Sequence, residues 1–413
     1  MGKLNYALFL ALMVVLPLPR MIVQPIAVAW VISWVLEGRF LQRERWRWNK
    51  MAWPGLLLVL LTVWEAVSLL WCPSVHDGLK VIDRHWPLVV LMLVPIFGLN
   101  EHYHADKMLR TLFAACVASV GIYLFTSYWV SNYEAVLWFR HDLIKPFEFP
   151  EMHGITSLMK LRSFYCLVLT LSMCSTPLLY GYYVQRYPRW EVILTLGVGN
   201  MVLLAGMLMT GSRSAILFLA ATAAFLIFVT YRKQWKWWVQ MLVVLTGFAV
   251  GVGAVVLNPR FYTFLNVDMH HIVLSEFTDM KEPRFYIWAT ILRHLQDFPL
   301  YGLGAGQHIN FLLDQYREAG NQLLVDLAYG PHCQYLGMWI CLGPLAAVLL
   351  LGAFFVIPKV FKGAGHYSAH ALAFLFALNM LTDDFLERMD SVLTLIVWFV
   401  LVYMIETTKT EKP

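Results

Sequence analysis

Twelve runs of mostly apolar residues, most of them near the length a helix needs to cross a bilayer, dominate this sequence; they fall at 4–18, 21–37, 54–71, 84–99, 110–130, 163–184, 191–210, 213–231, 237–257, 333–357, 367–384 and 390–405. A spanning helix takes about 20 such residues. In hydrocarbon every backbone N–H and C=O must find its partner within the protein, and a helix meets that demand by itself. The runs therefore predict an all-α polytopic membrane protein with about 12 transmembrane helices. Composition points the same way: 60% of residues are hydrophobic and 14% charged, against roughly a quarter charged in soluble domains. Tryptophans such as Trp46, Trp48, Trp235, Trp237 and Trp238 flank the runs, where interfacial aromatic belts form.

Lysine and arginine orient the spans, because cytoplasmic loops carry them in excess. Alternate gaps hold Arg39, Arg43, Arg45, Arg47 and Lys50, then Lys107 and Arg110, Arg186 and Arg189, Arg232, Lys233 and Lys236, and finally Lys359 and Lys362. These gaps are predicted to be cytoplasmic, with both termini inside, and the gaps at 72–83, 131–162, 211–213, 258–332 and 385–389 outside. Lys3 followed by an apolar run superficially resembles a signal peptide, but no small-residue cleavage site follows, so the run reads as a retained first span. The organisation expected is spans one to nine over 1–257, a large outer loop with amphipathic helices over 258–332, and spans ten to twelve with a cytoplasmic tail over 333–413.

Several chemistries are set aside. The net charge of +5 is modest and its basic residues orient short loops, which argues against nucleic-acid binding. The six cysteines form no CxxC pair, so neither a disulfide framework nor a metal site is expected. Gly302, Gly304 and Gly306 mark a tight turn, but no strand precedes them to make a nucleotide-binding unit. Asp383 and Asp384 are adjacent and make a poor chelating pair, and no cofactor is expected.

What remains is polar chemistry on the outer side. The 131–162 loop carries Arg140, His141, Asp142, Lys145, Glu148, Glu151, His153, Lys160 and Arg162. In the larger loop, Pro283 suits a first helical position, and Phe285, Trp288, Ile291, Leu292 and Leu295 recur at helical spacing until Phe298 and Pro299. This helix is expected to lie on the bilayer or cap the bundle. Ser212 is a candidate N-cap beside Arg213 and Ser214, and a helix N-terminus with an arginine fork suits a phosphate or pyrophosphate. An arginine anchoring the helix to lipid headgroups fits that motif equally. Arg284 opens the amphipathic helix, and His332, with Tyr335 and Trp339 expected on its helical face, offers a proton acceptor near neutral pH. Asp384 is expected to pair with Arg388 across one turn.

Together these motifs resemble the O-antigen ligase superfamily of polytopic membrane glycosyltransferases. The resemblance rests on Gly211 to Ser214, on Arg284 to Trp288 followed by Pro299, Gly302 and Gly304, and on His332, Tyr335 and Leu336 with Gly343 beyond; Ser68, Trp71, Asp77, Gly78 and Leu79 resemble the family's third span and following loop. The layout is closest to WaaL-type ligases. The resemblance implies a glycosyltransferase-C-like fold in the bacterial inner membrane with a periplasmic active site. It implies metal-independent, inverting transfer of O-antigen from undecaprenyl pyrophosphate to lipid A-core. It assigns Arg213 and Arg284 to the pyrophosphate and His332 to the reacting centre, while Ser212, Ser214, Tyr335, Trp339, Asp384 and Arg388 are expected substrate contacts. Members usually carry Asn, Ser or Gln where this chain has Cys333. An O-antigen polymerase or a protein O-oligosaccharyltransferase shares the donor and stays open as an alternative. A lipid-linked glycan flippase is the alternative of another class, although no paired halves are visible and the cations gather at one surface.

Overall fold

The computed structural model describes residues 1–18, 20–42, 46, 48–130, 162–210, 212–231, 236–239, 241–242, 245–246, 249 and 283–410. Among them no strand occurs, and seven helices are long and apolar enough to cross a membrane: Met21–Leu41, Lys50–Ser68, Ala105–Phe125, Phe164–Tyr183, Arg189–Met209, Ser214–Tyr231 and Met389–Thr408. That is consistent with a polytopic membrane protein. The polar residues expected in the 131–162 loop up to Lys160, the loop residues 258–282 and most of the predicted span 237–257 lie outside the described residues.

In chain order the helices are α1 (Gly2–Val15), α2 (Arg20–Leu36), α3 (Trp53–Ser68), α4 (Val75–His85), α5 (Val90–Phe97), α6 (Ala105–Val130), α7 (Arg162–Cys174), α8 (Thr176–Tyr183), α9 (Arg189–Met209) and α10 (Arg213–Tyr231). Residues 283–332 supply α11 (Pro283–Arg293), α12 (Gln307–Glu318) and α13 (Gln322–Leu327), and the chain closes with α14 (Gln334–Leu342), α15 (Pro344–Val360), α16 (His366–Asn379) and α17 (Met389–Thr410). The last helix is the central post. Every residue from Ser391 to Ile405 is buried, and α2, α5, α6, α7 and α16 pack around it. A helix apolar on all sides has that place open to it. The outer helices face the other way: on α9, Trp190, Ile193, Leu194, Val198 and Met201 are all more than half exposed, an apolar face suited to lipid rather than water.

Three predicted spans are not single helices among the described residues; that at 163–184 is interrupted at Ser175, between α7 and α8. The run at 84–99 continues from α4 through a tight turn at Trp86–Val89 into α5, with Pro87 and Pro95 removing backbone donors. The run at 333–357 breaks into α14 and α15 at Gly343, whose φ of 76° and ψ of −179° lie in a region essentially reserved for glycine. A Cβ there would lie 1.9 Å from the Leu300 carbonyl oxygen.

The break leaves the last carbonyls of α14 without helical partners, and the glycine turn supplies them. Leu303 N–H donates to the Ile340 carbonyl at 2.9 Å, and Gly304 N–H to that of Cys341 at 2.8 Å. Trp64 Nε1 donates to the Leu342 carbonyl at 2.9 Å. Gly302, Gly304 and Gly306 all have positive φ, and a Cβ on each would come within 3 Å of Cys341, Cys72 and Asp77 respectively. The glycine-rich turn is a structural seam between the 283–332 segment, α14 and α4.

This 283–332 segment has its own small core. Tyr286, Ile287 and Ile291 of α11 pack with Leu312 and Tyr316 of α12, Leu324 of α13 and Ile340 of α14. Each large apolar side chain so buried contributes about 1.5–3 kcal/mol, enough to hold this cap on the bundle. The buried stripe of α11 is Tyr286, Ile287, Thr290 and Ile291, rotated from the predicted face, and Leu292 is 56% exposed. The helix also ends at Arg293, ahead of the predicted stop at Phe298 and Pro299. Tyr286, Ile287 and Ile291 share the cluster with Leu312 and Tyr316 of α12, whereas Trp288 is turned to a polar task.

Candidate active site

That task brings α11 to His332. Trp288 Nε1 donates to the Pro331 carbonyl at 2.9 Å, and Arg284 lies one turn earlier on the same helix face. Arg284 is half-buried and near enough to Asp383 to help hold that carboxylate ionised.

His332 itself precedes α14. Its φ is 46°, as is that of Ala328, and among the described residues these are the non-glycine positions with positive φ. A non-glycine residue in this region costs about 1–2 kcal/mol, so something must hold it. Asp384 does: its carboxylate accepts His332 N–H at 2.9 Å and Cys333 N–H at 3.2 Å. Gln334 returns the tie, with its N–H donating to the Met380 carbonyl at 2.9 Å and its Oε1 accepting Leu386 N–H at 2.7 Å. The start of α14 and the turn at 380–388 are thus laced together through both strands of the chain.

The imidazole points at the neighbouring acid. Among the described residues the buried His332 Nδ1 has no hydrogen-bond partner, and Asp383 Oδ1 lies 3.7 Å from it. The Tyr329 ring stands edge-on to it at 5.4 Å. Burial works against ionising Asp383, but His332, the Asp384 N–H and Arg284 together hold its carboxyl below the ordinary range. Burial has the upper hand at Asp384 and raises its carboxyl, against the pull of His308 and His332.

Several expected contacts fall elsewhere. The segment 384–388 is not helical, so the one-turn spacing that would pair Asp384 with Arg388 does not exist. Arg388 lies over the Phe164 ring at 5.3 Å, and Glu387 of this turn pairs with Arg84 at 2.8 Å. Because α14 begins at Gln334, the helical face shared by Tyr335 and Trp339 does not extend back to His332. Tyr335 spends its hydroxyl on the Ala377 carbonyl at 3.1 Å. Trp339 is half-buried on α14. Cys333 is buried at the N-cap of α14 without a side-chain cap bond, and it meets the site through its backbone N–H.

The Arg213 side chain lies outside the described residues, but its backbone opens α10. Ser212 stands just before the helix, with Oγ 3.4 Å from Ser214 Oγ. Phe225 stacks on Phe374 at 4.2 Å, and Leu226 shares a cluster with Ala371. Tyr231 lies near Tyr367, so α10 and α16 run antiparallel. The start of α10 therefore reaches the end of the pair from which the 380–388 turn emerges. Thr210 Oγ1 lies 3.1 Å from Cys166 Sγ, and Phe164 packs on Phe385 with ring centres 4.7 Å apart, joining both ends through α7.

His332, Asp383 and Asp384 offer ligand atoms within 4.8 Å of one another. Each Asp384 oxygen also accepts a backbone N–H and keeps a second lone pair free. Sequence reasoning missed Asp383 as the histidine's partner, as well as a deeper group of charges comprising Glu65, Arg84, His85, His308 and Glu387. One signal was legible: Glu65 is the single charged residue in the run at 54–71, and an ionisable group inside a span calls for a partner.

No curated protein matches the chain. Residues 198–351 match the family described as O-antigen ligase. The match begins within α9 and ends within α15, so it takes in Ser212, Arg213, Ser214, Arg284 and His332 and leaves Asp383, Asp384, Glu65 and His85 outside. Over that stretch the chain is similar to the O-antigen ligases, which supports a place among the glycosyltransferase-like membrane enzymes of the O-antigen ligase and polymerase superfamily.

Proposed function

We propose that the chain is an O-antigen ligase of the bacterial inner membrane, with its site facing the periplasm. It transfers a glycan from undecaprenyl pyrophosphate to a sugar hydroxyl of lipid A-core. The observation that carries this reading is the meeting of Arg284, His332 and the ionised Asp383 at one end of the bundle, where α10 also begins. Arg284 and Arg213, with the N–H groups opening α10, bind the diphosphate and absorb the charge that builds on its bridging oxygen. With Nδ1 turned to Asp383, His332 keeps that proton and presents Nε2 as the base.

The acceptor hydroxyl attacks the anomeric carbon as its proton passes to His332 Nε2. The bond from that carbon to the pyrophosphate oxygen breaks, and undecaprenyl pyrophosphate leaves with the electron pair. A single displacement inverts the anomeric configuration. General-base help of this kind contributes about 10²–10⁴ in rate, and each lost charge-stabilising donor costs about 10²–10³. The pyrophosphate leaving group removes any need for a nucleotide or a metal.

Deleting the gene and running the host's lipopolysaccharide on a silver-stained gel tests this. Loss of every band above lipid A-core is expected. One residual repeat would favour a polymerase, and an intact ladder with lost glycoprotein bands would favour a protein transferase. An unchanged ladder with unchanged glycoproteins would refute the reading.

A further inference from the structure

Beneath the 380–388 turn lies a buried acid and base that the proposed chemistry does not touch. Glu65 on α3 is 0% exposed and His85 at the end of α4 is 1% exposed. His85 Nδ1 is 2.7 Å from Glu65 Oε1, and Nε2 is 3.1 Å from the Leu386 carbonyl oxygen. A carbonyl only accepts, so Nε2 carries hydrogen, and the Nδ1 contact with Glu65 holds the other proton between the two groups. The Leu386 N–H on the same residue donates to Gln334 Oε1, two residues after His332. Leu386 is therefore gripped from both sides, by His85 from below and by the start of α14 from the other.

Packing alone does not call for this pair. Two polar groups at this depth are expensive to desolvate, and an apolar pair of equal volume would join α3 to α4 at least as well. Glu65 Oε2 is buried without a hydrogen-bond partner among the described residues, so the pair is not tuned for stability. What apolar side chains cannot do is bond a carbonyl in the turn that carries Asp383 and Asp384. A small cavity lined by Glu65, His308, Cys341 and Glu387 places the pair beside the other buried charges of this region.

We propose that Glu65 and His85 are positioning residues for glycosyl transfer: by fixing the Leu386 carbonyl they set where Asp383 and Asp384 meet His332. The inference rests on the transferase reading above. It extends the working site to α3 and α4, outside residues 198–351, which match the O-antigen ligase family.

The test uses full-length protein in lipid nanodiscs, as wild type, His85→Ala, His85→Gln, Glu65→Ala and Glu65→Gln. Hydrogen exchange is followed in peptides covering 332–337 and 380–390. Transfer is followed with undecaprenyl pyrophosphate-linked O-antigen and purified lipid A-core. His85→Ala is expected to speed exchange in both peptides and to lower kcat about tenfold or more, a loss of about 1.4 kcal/mol in barrier terms, with the donor KM within about twofold. His85→Gln keeps a donor for the Leu386 carbonyl and is expected to restore much of both readouts. If His85→Ala does not fold, the Glu65→Ala and Glu65→Gln pair decides, the amide being expected to outperform the methyl. Unchanged exchange, or loosened exchange with unchanged kcat, in an active enzyme overturns the inference and leaves the transferase reading standing. A wild type that transfers nothing from this donor refutes that reading, and the inference falls with it.

Discussion

Replacing Asp384 with alanine should separate the placement of His332 from the binding of substrate. The carboxylate accepts the N–H groups of His332 and Cys333 at 2.9 and 3.2 Å, and leaving a buried donor unpaired costs about 1–3 kcal/mol. Part of that loss is returned because a buried carboxylate is removed, so stability should fall by about 1–4 kcal/mol. The effect on the site follows from the backbone. His332 sits at a φ of 46°, and once untied it recovers about 1–2 kcal/mol by leaving the left-handed region. The observed conformer then falls to between about a sixth and a thirtieth of the population, and kcat should drop about 6- to 30-fold with the donor KM little changed. Asp384→Asn, which keeps one acceptor oxygen, should fall between wild type and alanine. The assay is initial-rate transfer by purified enzyme in nanodiscs across a range of donor concentrations. Wild-type kcat in Asp384→Ala, or a loss wholly in KM, would refute the argument that this carboxylate holds the histidine in place.

Other outcomes follow from the same geometry. Asp383 titrates below the ordinary carboxylate value of 3.8 because His332 and Arg284 outweigh its burial, so its contribution to stability is present above that value and is lost as the pH falls through the lower folded one. Melting curves of wild type and Asp383→Asn should therefore differ at neutral pH and converge only in acid below the ordinary value; a gap that closes at neutral pH contradicts the assignment. Ala328 caps α13 in the left-handed region and is exposed, so Ala328→Gly should stabilise by about 0.5–1 kcal/mol and Ala328→Val should destabilise, as thermal unfolding would reveal. Gly343→Ala should prevent stable expression, because its Cβ would meet the Leu300 carbonyl at 1.9 Å; normal yield and melting would show that the break between α14 and α15 can relax.

Much of the architecture was readable from residue order, because a membrane leaves the backbone few options. Helices at 54–71, 191–210 and 213–231 follow directly from apolar length. The limits appear where polar detail decides. In the 333–357 run Gly343 followed by Pro344 is the signal that the helix breaks, but the purpose of Gly302, Gly304 and Gly306 becomes clear only when Leu303 and Gly304 cap α14. The buried stripe of α11 was misjudged because Leu292 and Phe285 are as apolar as Ile287, and only the position of α12 distinguishes them. At the site, Arg284 and His332 could be singled out by residue type, but partner choice could not. Asp384 serves two backbone N–H groups instead of Arg388, because the chain there turns rather than coils. The Glu65 and His85 pair joins residues twenty apart in sequence to a turn some three hundred residues on, a closure that no local pattern encodes.

In the proposed reaction Arg284, Arg213 and His332 act together on one lipid-linked donor. The direct measurement is glycan transfer by purified enzyme in nanodiscs containing EDTA, with undecaprenyl pyrophosphate-linked O-antigen and lipid A-core as the sole substrates. Wild type is predicted to form the inverted glycosidic product, while folded Arg213→Ala, Arg284→Ala and His332→Ala each lose about 10²-fold or more. Wild-type rates in the His332→Ala or Arg284→Ala protein, or no product from the wild type, would contradict it.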